Sequence, residues 1–284
     1  MMMTPYEERK INVPGFTIAS KVWNPNNIKP VLCLHGKLDN AASFDLLAPL
    51  LPNVQIIAVD QPGTGYSSQY QNGVVPYWKN DAFLMLHLIK ALEWKEFDII
   101  AHSLGSLLAT IIAIILPKQV RKLIFLDILG PTVNFTEQGI SYLHKNVETY
   151  LTHSQHQRTI FADQESAIQD RMKIGNISYQ AAQALVYRGT QKCDGGWSWA
   201  FDPRLHCVGS TIPYEDELRA MFRAIESSVC LIHAKQGVPY PDDVFQGRAK
   251  SIKNLTIQEV QGGHHVHMDN PLPVAKIISQ FLNA

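Results

Sequence analysis

The chain has 284 residues, enough for one large α/β core carrying an insertion. Hydrophobic residues at 46% and charged residues at 18% set it apart from disordered sequences, which are polar and highly charged. Lys plus Arg and Asp plus Glu number 25 each, so no net field gathers nucleic acid or an anionic membrane, and nucleic-acid binding is set aside.

In chain order, residues 1–8 lack a basic stretch followed by an apolar one, so no secretory signal is expected. Short β-branched runs predict strands over residues 16–22, 31–35, 54–59, 97–101 and 122–127. Apolar residues at helical spacing predict helices over 40–50, 80–92 and 104–116, with Asn40 and Asn80 as N-caps and Pro117 as a stop. This alternation is the mark of βαβ units and a mostly parallel sheet. The longest apolar run, residues 107–116, falls short of the about 20 residues a bilayer requires, so no membrane span is expected.

From about residue 133 to 224 the sequence becomes polar, helical and rich in Gln, His, Tyr and Arg. Strand patterning resumes at 229–233 and 255–260, and the last helix is predicted over 273–282. The predicted organisation is a first core part over residues 1–131, a mainly helical cap over 132–224 and a second core part over 225–284. An insertion at the carboxyl edge of the sheet is favoured over a second independent domain, because the segment is short and the same strand pattern returns after it. Cys33 and Cys230 sit in apolar runs and read as buried small hydrophobes. The four cysteines show no C-x-x-C pair, zinc spacing or disulfide framework, and a reducing cytoplasm is expected.

The run Phe97-Asp98-Ile99-Ile100-Ala101-His102-Ser103-Leu104-Gly105-Ser106 reads as strand, tight turn and helix, with a serine at the turn. A nucleophile elbow has this outline: the strained turn needs small residues two positions either side, and Ala101 and Gly105 supply them. Alanine stands where G-x-S-x-G has its first glycine. The amide of Leu104, at the start of the helix, is directed at the place where an oxyanion forms. Ser103 as a mere helix cap is the bland alternative; it gives way because further parts follow in order.

Three runs, His35-Gly36-Lys37-Leu38-Asp39-Asn40-Ala41-Ala42-Ser43-Phe44, Asp60-Gln61-Pro62-Gly63-Thr64-Gly65-Tyr66-Ser67 and the elbow, together resemble α/β hydrolases. More narrowly they are similar to the serine hydrolase-like branch, with kinship to haloalkane dehalogenases and epoxide hydrolases. The resemblance spans both halves of the core and is weak through the cap. It implies the α/β-hydrolase fold, a mostly parallel sheet flanked by helices with an inserted helical cap. It also implies that the residue after His-Gly, here Lys37, donates the second oxyanion amide, at a position commonly aromatic in relatives. The Asp60 to Ser67 loop reads as structural, and His35 as a residue that orients its loop.

In Gly262-Gly263-His264-His265-Val266-His267-Met268-Asp269-Asn270-Pro271, which follows the last predicted strand, three histidines compete. A zinc site is the rival reading, but no carboxylate or cysteine accompanies them at ligand spacing. The resemblance, a Gly-His with proline seven positions later, places the base at His264. No metal or cofactor is expected.

Relatives often carry the triad acid in a G-x-x-D turn after the strand at 229–233; here that stretch is Ala234-Lys235-Gln236-Gly237. Asp127, at the end of the strand over 122–127, is favoured over Asp242 or Asp243, since a carboxylate at a strand's carboxyl end lies where open α/β sheets gather ligands. The expected protein is a serine esterase of the carboxylesterase kind (EC 3.1.1), cleaving small to medium ester substrates through an acyl-serine intermediate. Its predicted residues are Ser103, His264 and Asp127, with an oxyanion hole at Lys37 and Leu104. His35, His102 and Trp197 are the candidate substrate-binding side chains; Trp197 lies in an aromatic stretch that also suits core packing. Two alternatives stay open: a catalytically silent scaffold acting as a binding protein, supported by the missing G-x-x-D acid, and a dehalogenase-like or epoxide-hydrolase-like enzyme, which would need a carboxylate at the elbow. Oligomeric state is left open.

Overall fold

The computed structural model describes residues 5–131, 144, 147–148, 150–152, 158–206 and 213–284. Six strands come first: β1 (Glu7–Val13), β2 (Phe16–Trp23), β3 (Pro30–Leu34), β4 (Gln55–Val59), β5 (Phe97–His102) and β6 (Val120–Leu126). Three short ones, β7 (Ile160–Phe161), β8 (Thr190–Cys193) and β9 (Gly196–Trp199), form a separate antiparallel sheet in the order β7-β9-β8. With β10 (Ser228–Gln236) and β11 (Leu255–Gly263) the chain returns to the main sheet, whose order is β1-β2-β4-β3-β5-β6-β10-β11. From β4 to β11 across this sheet every pairing is parallel; β1 and β2 join antiparallel at one edge.

Parallel strands covered on both faces need nearly continuous apolar runs, and β3 and β5 are buried at every position. The one carboxylate in β5, Asp98, is matched by Arg121 at 2.6 Å. The sequence patterns located the strands of the parallel sheet to within a few residues. They missed β1, because Glu-Glu-Arg-Lys-Ile-Asn-Val is polar; as an edge strand it leaves charges outside, which also discourages edge-to-edge pairing.

Helices α1 (Trp78–Ala91) and α2 (Gly105–Ile115) cover one face, where Trp78, Met85, Leu88, Leu108 and Ile112 pack with Leu32, Ile57 and Ile99. In the middle segment, α3 (Gln164–Gly175) and α4 (Tyr179–Gly189) pack against one another. Then α5 (Glu215–Arg223) and α6 (Asp242–Ser251) return to the first face, and α5 inserts Leu218 and Phe222 into the core beside Phe125. The short α7 (Val266–Asp269) leads into α8 (Pro271–Asn283), which covers the opposite face with Val274 and Ile278 against Cys33, Ile124 and Ile232.

The helix expected over 40–50 is instead two 3-10 turns, Ala41–Phe44 and Ala48–Leu50. Asn40 does cap the first, accepting from the Ala42 amide at 3.0 Å. Pro49 has no N–H to extend an α-helical ladder back to Asp45, and Asp45 is held by Lys21 at 2.6 Å. Helix α1 starts at Trp78 rather than at Asn80, since burying that indole sets its first turn.

Residue 132, the expected start of the cap, lies outside the described residues. Within the segment that is described, α3 and α4 pack Ala167, Ile168, Ala181 and Leu185 against Ala42 and Met268 of the core. Polar contacts fix the placement: Asn40 Nδ2 donates to the Leu185 carbonyl at 2.9 Å, Arg188 Nε to Asp60 at 2.9 Å, and the Ser178 amide to Asp269 at 2.9 Å. Asp60 is thus a buried anchor for its loop. Its carboxylate also takes the amides of Ala41 and Tyr66.

Candidate active site

The carboxyl ends of four neighbouring strands of the main sheet converge on one point. After β5, Ser103 has φ of +50°, the left-handed region that disfavours a side chain and is kept here by the strand and helix on either side. A Cβ on Gly105 would stand 2.5 Å from the Leu34 carbonyl oxygen, so α2 can lie this close to β3 only with glycine there. The strained turn presents the serine hydroxyl to the loop after β11, where His264 Nε2 lies 2.9 Å from Ser103 Oγ. On its other side His264 Nδ1 lies 2.6 Å from Asp127 Oδ2. With Asp127 accepting from Nδ1–H, the free Nε2 lone pair faces the hydroxyl proton.

Asp127 sits just past β6, fully buried, at φ of +70°. Its Oδ1 accepts from the Ala234 amide at 3.2 Å and its Oδ2 from the Val238 amide at 3.1 Å, both from the end of β10 and the loop after it. Asp242 and Asp243 lie in the first turn of α6, and it is Asp127 that meets the histidine. A Cβ on Gly237 would fall 1.9 Å from Asp127 Oδ1. Gly237→Ala is therefore expected to push the carboxylate off His264 and lower kcat about 100-fold, with a native circular dichroism spectrum; steady-state kinetics on an activated ester checks this.

The loop after β3 passes against the elbow, since a Cβ on Gly36 would lie 3.0 Å from Ser103 Cβ. Lys37 is exposed and its Nζ donates to the His206 carbonyl at 3.4 Å, while Leu104 opens α2. Lys37, Leu104, Trp78, Asp81, Leu108 and Leu205 line a mostly apolar depression beside them. His35 borders it, but its ring is committed to its own loops: Nδ1–H donates to the Gly36 carbonyl at 2.7 Å and Nε2 accepts from the Gln61 amide at 3.0 Å. Trp197 lies on β9, packed with the α3–α4 cluster and facing Lys192, and is not among the residues lining the depression.

Asp81 is the buried acid of that depression, accepting from the Tyr70 hydroxyl at 2.7 Å. Burial pushes its carboxyl up to about 7, against the lowering influence of that hydrogen bond. Folding thus favours the protonated form: the stability it contributes below its ordinary 3.8 is lost as pH rises through about 7. Asp81→Asn is expected to raise the unfolding free energy at pH 8 by about 2–4 kcal/mol and to change it little at pH 4, as urea titrations at the two pH values would show.

Behind the Ser103–His264 pair is a buried group of histidines, and His102, a substrate-binding candidate from the sequence, is fully buried within it. His102 Nε2–H donates to the His264 carbonyl at 3.0 Å, His265 Nε2–H to Asp39 Oδ2 at 3.2 Å, and His267 Nε2 meets Ser43 Oγ at 2.8 Å. Burial and the neighbouring rings hold His102 and His267 well below the usual histidine range, so both are neutral. Burial alone would raise the Asp39 carboxyl, but the facing His265 and Arg171 outweigh it and hold the group well below the usual carboxylate range. Asp39, His102 and His265 bring ligand-type atoms within 4.8 Å of one another. The Arg171 guanidinium, 2.7 Å from Asp39 Oδ1 and 3.4 Å from His265 Nε2, already supplies the cation there, and the trio is not read as a metal site.

A mostly parallel eight-stranded sheet with a serine on a strained strand-to-helix turn is the architecture of the α/β hydrolases, and the family model for the α/β hydrolase fold matches residues 29–150. The chain belongs to the serine hydrolase-like proteins of that fold. It is 32% identical over 295 residues to serine hydrolase-like protein 2 of Homo sapiens, covering 97% of this chain and 93% of that one. A serine hydrolase-like protein of Danio rerio is 30% identical over 291 residues, covering 97% and 88%. Among solved structures, a hypothetical protein of Pseudomonas aeruginosa superposes with a TM-score of 0.90 at 29% identity, over 98% of this chain and all of that one. A thioesterase domain from the curacin biosynthetic pathway shares the fold, with a TM-score of 0.86 at 24% identity over 97% of this chain and 100% of that domain.

Proposed function

We propose that the protein is a carboxylesterase-type serine hydrolase acting on small to medium ester substrates. Ser103 attacks the ester carbonyl, His264 takes the hydroxyl proton and returns it to the leaving alcohol, and Asp127 holds the imidazole in the required tautomer. The amides of Lys37 and Leu104 receive the oxyanion, and water activated by His264 then releases the acid. One observation carries this reading: the continuous Asp127–His264–Ser103 chain at 2.6 and 2.9 Å, on a serine held in a strained turn. The depression flanked by Lys37 and Leu104 is the acyl site, and the segment from β7 to β9 serves as its cap. An elbow serine disfavours the dehalogenase and epoxide-hydrolase alternatives, which attack with a carboxylate. The contact of Asp127 with His264 supports the enzyme over the silent scaffold, which the missing G-x-x-D acid had favoured. The unpaired thiols of Cys33, Cys193 and Cys230 support a cytoplasmic setting.

A fluorophosphonate probe tests the proposal. Labelling of wild type but not of Ser103→Ala is the expected result, and an unlabelled wild type would return the silent scaffold to the front. A panel of p-nitrophenyl esters of graded chain length, with one acyl thioester alongside, then sorts the acyl group and the bond cleaved.

A further inference from the structure

Asp39 touches the surroundings of both reacting residues at once. It lies in the loop after β3, and its Oδ2 accepts from the ring of His265, the residue after His264. The same oxygen stands 3.8 Å from Nδ1 of His102, the residue before Ser103. The His102 ring packs on three others, with centroids 4.6 Å from His264, 4.8 Å from His265 and 4.4 Å from His267, and its Nε2–H holds the His264 backbone carbonyl. Nδ1 of both His102 and His265 is buried without a hydrogen-bond partner. Each ring thus has one hydrogen bond, His265 to Asp39 and His102 to the His264 carbonyl, and is otherwise held by packing, with Asp39 Oδ2 lying near the Nδ1 edge of His102. Asp39 is itself buried, and an isolated carboxylate there would be costly. Its Oδ1 is met by Arg171 of α3, an element of the middle segment 132 residues further along the chain.

We propose that Arg171 and Asp39 are positioning residues for the base: their ion pair seats α3 on the histidine loop and, through His265 and His102, sets the placement and the electrostatic surroundings of His264. The proposal rests on the reading of Ser103 and His264 as nucleophile and base. Asp127, Ser103, His102 and His265 contact His264 directly, and His233, His267, Asp39 and Arg171 stand one contact further out. Asp127 lies at the end of β6, with His233 of β10 beyond it at 3.8 Å; Ser103 and His102 belong to the elbow, His265 and His267 to its own loop, Asp39 to the loop after β3 and Arg171 to α3. Within that set Arg171 and Asp39 carry opposite charges, so their removal should have opposite effects. Loss of the cation favours an imidazolium nearby, and loss of the anion disfavours it.

The test is the pH dependence of kcat/KM on p-nitrophenyl acetate, with fluorophosphonate labelling of Ser103 and a thermal melt for each variant. Arg171→Met is expected to move the acidic limb up by about 0.5–1 pH unit and Asp39→Asn to move it down by a similar amount, for one charge acting through an effective dielectric of about 20–40. Both should lower kcat at least tenfold, and Arg171→Lys, which keeps the charge, should leave the limb in place. Should Arg171→Met fail to fold, Arg171→Gln tests the same upward shift with a polar side chain. Folded variants with wild-type limbs, or limbs that move in the same direction, overturn the positioning role while leaving the serine-hydrolase reading intact. An inactive, unlabelled wild type overturns that reading and this proposal together.

Discussion

Ser103→Ala is expected to lower kcat on an activated ester by about 10⁶-fold, the cost typical of removing the nucleophile from a serine triad. Alanine suits the same φ of +50° no worse than serine does, so the backbone turn, α2 and the surrounding packing are kept and the loss is that of the attacking oxygen. What remains is expected to exceed the uncatalysed rate by about 10³–10⁴, from oxyanion stabilisation and binding alone. Because the three side chains act as one unit, adding His264→Ala to Ser103→Ala should cost little more. Steady-state rates for the single and double variants, on protein purified free of contaminating esterase, decide the matter. A single variant retaining above one per cent of activity would place the nucleophile elsewhere.

Asp127→Asn should lower kcat by about 10⁴-fold, through the tautomer rather than through misplacement. The amides of Ala234 and Val238 require acceptors on that side chain, and an asparagine has one carbonyl oxygen with which to serve them. With that oxygen on the Ala234 amide, the NH2 takes the place of Oδ2 before His264 Nδ1, which must accept, moving the ring proton to Nε2 where it faces Ser103. An imidazole in that form cannot take the hydroxyl proton. The loss should appear in kcat and kcat/KM alike, with KM changed much less, and fluorophosphonate labelling should slow in parallel. Equal labelling rates for Asp127→Asn and wild type would assign the acid's role to another residue.

What could be read in the sequence follows from how local each signal is. The buried parallel strands announce themselves as apolar runs, and the elbow as a serine between Ala101 and Gly105. His264 was legible from its place after the last strand, by resemblance to relatives. The choice between Asp127 and Asp242 or Asp243 was not legible in the same way, because it depends on β6 and β10 lying side by side, a fact of sheet order. The polar edge strand β1 gave no apolar pattern to detect, and Pro49 divided what looked like one helix. Arg171 carries no motif, and Asp39 lies in the run after β3 without a role that the resemblance assigns to it. Only folding brings a loop after β3 to a helix far along the chain, and the hint available was two extra histidines beside the base.

The backbone around Gly237 has a wider meaning. Two peptide N–H groups hold a carboxylate beside the imidazole, and the side chain filling that socket arrives from the strand next door, into space that a bare glycine leaves open. The socket is what is fixed in space, while the strand that supplies its occupant is a matter of reach. Within such a sheet the acidic residue can change its place in the gene without the histidine or the serine shifting at all.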